Sequence, residues 1–370
     1  MMPVMPHIVL QVLAFAVGLF MVGGTLLSAI KTFVLPRAAN VRISRFAFVA
    51  SRKVFDAMVR TRRTYEEKDA VMAMFAPMTL VLLPGIWIVL VGTGFALMFY
   101  GVGVSSIREA SVTSGSSLFT LGFNRPGSLA GSALSFVEAA LGLAMIALLI
   151  SYLPSIYAAF SRRETSVALL EALAGNPPTA SAMLLRHQRI GGLDRLSETW
   201  IRWREWFADV EESHTSLAAL VFFRSPDPYR SWITAAGCIL DAAAISLSCL
   251  EQPANPDAAL CIRAGYVALQ KICDFFGIPY NHDPRPGDPI SIRRAEFDEV
   301  WDLMAAQGVP LKADRDQAWL DYSGWRVNYD RTLLVLCGLV MAPPTPWSSD
   351  RGIPYRSPKL FSRVPRFHRI

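Results

Sequence analysis

The chain has 370 residues, of which 52% are hydrophobic and 18% charged, with a formal net charge of +6 and a mean hydropathy of +0.33. This composition excludes an intrinsically disordered chain and does not match an ordinary water-soluble domain. The charge excess is local. Residues 161–370 hold 24 basic and 24 acidic side chains, whereas residues 1–160 hold 12 against 6, and ten of those 12 fall between Lys31 and Lys68. A basic cluster beside long apolar runs reads as a membrane-topology signal, not as a nucleic-acid footprint.

Taken in chain order, residues 8–30 form the first apolar run long enough to cross a bilayer, which needs about 20 residues. No Lys or Arg precedes it and no small-residue cleavage site follows, so it is expected to be retained as a transmembrane helix within residues 1–36. Residues 37–73 read as a basic cytoplasmic linker. A second span is expected over 74–103 and a third over 131–157, joined by the connection 104–130. Lys and Arg stay on the cytoplasmic side. The N-terminus and residues 104–130 are therefore expected outside, and everything after Ser161 in the cytoplasm of a multi-pass cell-membrane protein.

The connection 104–130 is longer than a turn between neighbouring helices needs. Its charges, Arg108, Glu109 and Arg125, stand towards its ends, and residues 110–123 carry none. A helix from Ser106 to Leu118 would descend about 20 Å at 1.5 Å per residue, and an extended return from Thr120 to Pro126 would climb about 23 Å at 3.3 Å per residue. The two legs match, which fits a segment that dips into the membrane. Extended backbone at that depth must be buried in protein or face water. The competing reading is a Ser/Gly-rich external loop.

Thr120-Leu121-Gly122-Phe123, following Ser116-Ser117-Leu118-Phe119, resembles the filter of the potassium-channel pore-loop family, whose pattern is T-V-G-Y/F-G after a short pore helix. The resemblance covers about 85 residues and includes the order outer helix, pore helix, filter, inner helix. It implies a homotetramer around one pore, with a permeating potassium ion held by the main-chain carbonyls of Thr120, Leu121, Gly122 and Phe123 and by the Thr120 hydroxyl. Glycine at 122 suits a carbonyl ladder, which needs left-handed backbone at alternate positions. The chain departs from the family at Asn124, which replaces a second glycine, and at Arg125, where many members have aspartate. Asn tolerates left-handed backbone. Four copies of Arg125 would repel cations unless the side chain pairs with Glu109 or points away.

Two residues of the third span belong to the same module. Gly142 stands where the family often has an inner-helix glycine, which implies a gating hinge; a close helix contact is the other reading. Glu138 is the only acidic residue deep within a span, and an intramembrane carboxylate needs a partner. A hydrogen bond to Thr113, Ser114 or Ser116 that braces the filter is the first expectation, and a place in the ion path the second. Asn124, Ser116 and Glu138 are thus the expected filter supports.

Residues 161–346 read as a helical cytoplasmic domain, with helices expected near 163–174, 179–190, 193–212, 229–250, 256–276, 292–307 and 314–341. Trp200, Trp203, Trp206 and Phe207 fall on one helical face and read as core. Glu211, Glu212 and His214 read as a solvated face. The five cysteines read as small buried residues without disulfides, and no spacing suits a metal or cofactor. In the tail, residues 347–370, six basic residues from Arg351 to Arg369 face only Asp350. Together with the basic segment 31–69 they could contact anionic lipid, or the tail could be unstructured.

The expected fold is therefore an all-α membrane protein: one extra N-terminal span, an outer helix, a pore helix with an extended filter, an inner helix and a helical domain. The expected function is a potassium-conducting channel, and the alternative is a non-conducting sensor or scaffold. No nucleophile elbow or other catalytic constellation appears, so no enzymatic activity is expected.

Overall fold

The computed structural model describes residues 4–33, 42–253 and 255–354. Those residues form thirteen α-helices and no strand; a single isolated bridge pairs Leu250 with Leu311. They separate into two compact units. The first comprises the described parts of Met1–Lys53 and Pro77–Tyr157, and the second those of Val54–Ala76 and Ala158–Ile370.

The first unit is built on three long apolar helices, α1 (Val4–Phe33), α4 (Phe75–Gly101) and α6 (Leu129–Ala174). Each contains a stretch long and apolar enough to cross a membrane. Apolar surface alone cannot hold such helices together in lipid, so close backbone approach matters. It occurs between α1 and α4, where a Cβ added at Gly18 would lie 2.4 Å from the carbonyl oxygen of Gly94. Val22, Trp87, Val91, Phe95 and Phe99 fill the space beside that crossing. Leu13, Phe20, Val81, Val89, Phe136 and Ile150 point outward and are more than half exposed, as a lipid-facing surface requires.

The segment expected as a basic linker is helical where it is described: α2 (Arg42–Val59) and α3 (Tyr65–Ala73) occupy most of it. Thr64 caps α3, its hydroxyl accepting the N–H of Glu67 at 3.2 Å. Asp69 is buried and pairs with Arg224, whose guanidinium also donates to the carbonyl of Met341 at 3.1 Å. This tertiary anchor makes α3 part of the second unit. Arg37, in the same basic segment, lies outside the described residues.

The second unit is a helical bundle of α7 (Ala180–Arg189), α8 (Leu196–Ser216), α9 (Trp232–Cys249), α10 (Pro256–Phe276), α11 (Arg294–Ala306), α12 (Arg315–Arg326) and α13 (Asp330–Val340), with the end of α6. At its centre α10 packs against α8 and α9. Trp200, Trp203, Trp206 and Phe207 are all buried in the core, as their shared face predicts. By length and apolarity α9 could also cross a membrane, yet 89% of it is buried by the chain itself. A helix apolar all round is a core helix when protein surrounds it. Gly175 and Gly277, both at positive φ, end α6 and α10.

Three expectations are corrected here. Residues 163–174 are the continuation of α6, because nothing between Ala158 and Ala174 stops a helix. The expected helix 314–341 is two helices, broken after Arg326 where Tyr329 turns inward and donates to the buried Asp241 at 2.8 Å. His214 is fully buried. Its Nε2 accepts from Arg163 at 3.2 Å, and its ring packs tilted against Trp232, with centroids 4.7 Å apart. Burial and the Arg163 charge hold its pKa well below the usual histidine range. Of the basic tail, residues 355–370, with Arg356, Lys359, Arg363, Arg366 and Arg369, lie outside the described residues. Arg351 belongs to the folded unit, bonded to Glu296 at 2.7 Å and to the carbonyl of Ser291 at 2.9 Å.

Candidate functional site

Within the first unit, the connection between α4 and α6 contains α5 (Ile107–Leu118), which is short and rich in serine. It begins where the sequence predicts: Ser106 is its N-cap, with extended backbone and a hydroxyl that accepts the N–H of Glu109 at 3.2 Å. One face is buried. Ala110, Thr113, Ser114, Ser116, Ser117 and Leu118 are all at most 8% exposed. A polar helix can be buried this way only if its hydroxyls find partners.

They do. Ser114 Oγ lies 2.6 Å from Oε1 of Glu138 on α6 and 2.8 Å from the carbonyl oxygen of Gly92 on α4, so one hydroxyl ties three helices together. Glu138 is fully buried. The expected hydrogen bond between Glu138 and α5 is present, made by Ser114. Glu138 Oε2 has no partner among the described residues. The Gly92 carbonyl was not foreseen, since a main-chain acceptor leaves no mark in a sequence.

After Leu118 the chain reverses and runs back beside α5. The carbonyl of Ser116 accepts the N–H groups of Leu121 at 2.8 Å and Gly122 at 3.2 Å, and its hydroxyl accepts the N–H of Asn124 at 3.1 Å. Asn124 Nδ2 donates to Thr113 Oγ1 at 2.8 Å. Ser116 and Asn124 therefore hold the return segment to the helix. Asn124 does so without the left-handed backbone that its type tolerates; among the described non-glycine residues only Thr120, Met341 and Trp347 have positive φ. Its side-chain amide, rather than its backbone freedom, is what the loop uses.

Thr120 has φ +56° and Gly122 φ +70°. Left-handed backbone at alternate positions breaks the strand alternation in which successive carbonyls point to opposite sides. A β-branched residue there is strained by about 1–3 kcal/mol, and such strain gathers at functional sites. Thr120, Leu121, Gly122 and Phe123 are all exposed on the single chain. No hydrogen bond among the described residues uses their main-chain carbonyls. The four predicted filter positions are therefore consecutive, outward-facing and rich in free acceptors.

Gly142 packs against this loop. A Cβ there would lie 2.3 Å from the carbonyl oxygen of Leu118, and α6 runs through the position unbroken. Of the two roles open to Gly142, the close contact is present. Glu109 does not pair with Arg125: its carboxylate accepts from Ser105, and Arg125 is exposed without an ion-pair partner among the described residues. No group of three or more His, Cys, Asp or Glu among the described residues could hold a metal ion. Comparison with protein-family models, with curated proteins and with solved structures finds no match.

Proposed function

We propose that this protein is a cation channel of the potassium-channel pore-loop type, located in the cell membrane with its N-terminus outside and its C-terminal unit in the cytoplasm. Four copies would surround one pore, with Thr120 to Phe123 of each lining it and a monovalent cation as the permeating species. The proposal includes no enzymatic activity. The observation that carries it is the alternation of left-handed backbone at Thr120 and Gly122 within a segment whose carbonyls have no partner in the chain. Carbonyls of that kind can replace the water shell of a cation. The ties from Ser116, Asn124, Ser114 and Glu138 support the reading, since a filter needs a rigid back wall.

Potassium flux into liposomes holding the purified protein tests it. The wild type is expected to pass potassium, and Gly122→Ala to lose most of the flux, because a side chain at φ +70° strains the backbone that positions the carbonyls. Wild-type liposomes that pass no more potassium than empty ones, with a tetramer established by cross-linking, would leave the second reading: a non-conducting scaffold with the same loop. Arg125, exposed and unpaired beside the loop, favours that alternative.

A further inference from the structure

The chain between α1 and α4 carries a surface that neither water nor the fold satisfies. Helix α2 sets out from the end of α1: the Ser44 hydroxyl lies 2.7 Å from that of Thr32, one residue before α1 stops. Ala47 is buried in the same apolar cluster as Ala29 of α1, with Phe33 and Ile43 packed against it. The start of α2 is thereby held against the end of a helix long and apolar enough to cross a membrane.

Along its length α2 leaves one stripe uncovered. Phe46, Val54 and Met58 are 47%, 59% and 44% exposed, and with Ala50 they recur every fourth residue, which keeps them on one face. Lys53, beside that stripe, and Arg60, Arg62 and Arg63, just beyond the helix, are exposed and have no ion-pair partner among the described residues. Over residues 42–63 seven basic side chains stand against one acidic one, Asp56. Whatever covers the stripe must therefore be apolar where Phe46, Val54 and Met58 meet it and negative at its border. A second copy of α2 brings the same positive charges and is repelled. A bilayer surface with anionic lipid meets both demands, since a basic amphipathic helix lies in it with its apolar face about 5–10 Å deep.

We propose that α2 is an interfacial anchor for anionic phospholipid: Phe46, Val54 and Met58 enter the acyl boundary, while Lys53, Arg60, Arg62 and Arg63 hold headgroup phosphates of the same leaflet. Lys53 reaches those phosphates along its own methylene stem. With the basic segment in the cytoplasm, that leaflet is the inner one. The anchor does not depend on conduction by the loop.

The native cysteines are all buried, so a fluorophore is attached to one introduced thiol of the full chain, at Phe46→Cys, Val54→Cys or Met58→Cys, with the unsubstituted chain as the blank. Each labelled protein is reconstituted in phosphatidylcholine vesicles that hold the same small fraction of nitroxide-bearing phosphatidylcholine or nitroxide-bearing phosphatidylglycerol. Both nitroxide lipids are expected to quench all three labels. Phosphatidylglycerol is expected to quench them roughly twofold or more strongly, because basic side chains gather anionic lipid around them. High salt, which screens exposed charges, and the combined variant Lys53→Gln, Arg60→Gln, Arg62→Gln and Arg63→Gln are each expected to bring the two lipids to equal quenching. Tryptophan emission reports that every variant is folded. A label set that neither lipid quenches, because the stripe faces water or a second copy of the chain covers it, overturns the anchor. Equal quenching by the two lipids before the glutamines are introduced, or a preference that survives them, overturns headgroup recognition by these four side chains.

Discussion

Ser114 joins α5 to both neighbouring long helices, because its hydroxyl lies within hydrogen-bond reach of both Gly92 and Glu138. Ser114→Ala is expected to lower stability by about 1–3 kcal/mol, the cost of leaving buried polar atoms unpartnered, read by denaturant unfolding of the protein in lipid. Ser111→Ala, on the exposed face of the same helix, serves as the comparison and should change little. Gly142→Ala is expected to cost about 1–3 kcal/mol by overpacking, since the new methyl meets the Leu118 carbonyl and backbone moves less readily than a side chain. At this scale the sequence reveals residue types and the chemistry they can do. Ser116, Asn124 and Glu138 stand out because polar groups in apolar surroundings need partners. Which partner each takes depends on main-chain atoms, and so the Gly92 carbonyl and the Leu118 contact became visible only in three dimensions.

Among the elements, the long apolar helices were legible from hydropathy, and α5 from its cap and spacing. The failures share a cause. α3 looks like part of a charged linker because what anchors it is a tertiary partner, Arg224, which lies 155 positions away in the chain. The break between α12 and α13 is hidden because no Gly or Pro stands between Arg326 and Thr332 to mark it, while the Asp241, Arg326 and Tyr329 cluster sets the geometry. Arg326 is fully buried and places NH1 2.6 Å from Asp241 and Nε 2.7 Å from Asp330. Arg326→Met is expected to destabilise the protein by about 3–5 kcal/mol, because it leaves buried carboxylates without their cation. Adding Asp241→Leu should recover part of that loss in the same unfolding assay. Arg351 acts likewise on α11: its hydrogen bonds outweigh partial burial and hold Glu296 down to about 2, from an ordinary 4.5. A depressed carboxyl stabilises the fold above its unfolded pKa and loses that contribution as pH falls through the folded one. The wild type should therefore lose stability between about pH 4.5 and 2 more steeply than Glu296→Gln.

For the molecule as a whole, one chain builds two kinds of interior. The first unit turns apolar residues outward and holds its helices together by backbone approach and a few polar ties. The second turns them inward, to the extent that α9, apolar enough for a bilayer, is almost wholly enclosed. Composition alone cannot separate these cases, because hydropathy reports how apolar a helix is and not what surrounds it. Thiol chemistry can. All five cysteines lie in the second unit and are buried, so a water-soluble disulfide reagent is expected to find no rapidly reacting thiol in the native protein and five after denaturation. A fast-reacting Cys238 or Cys249 in the native protein would mean that α9 is not packed as described.

The serine-rich face of α5 also fixes an order of events during biosynthesis. Twelve residues carrying this many hydroxyls are too short and too polar to be inserted as a span in their own right. The segment must leave the insertion machinery as a tether between two hydrophobic helices. Its Ser114 needs Gly92 from the helix made before it and Glu138 from the helix made after it. The loop therefore cannot lock until α6 has been synthesised and laid alongside, and the candidate site is the last part of its unit to mature.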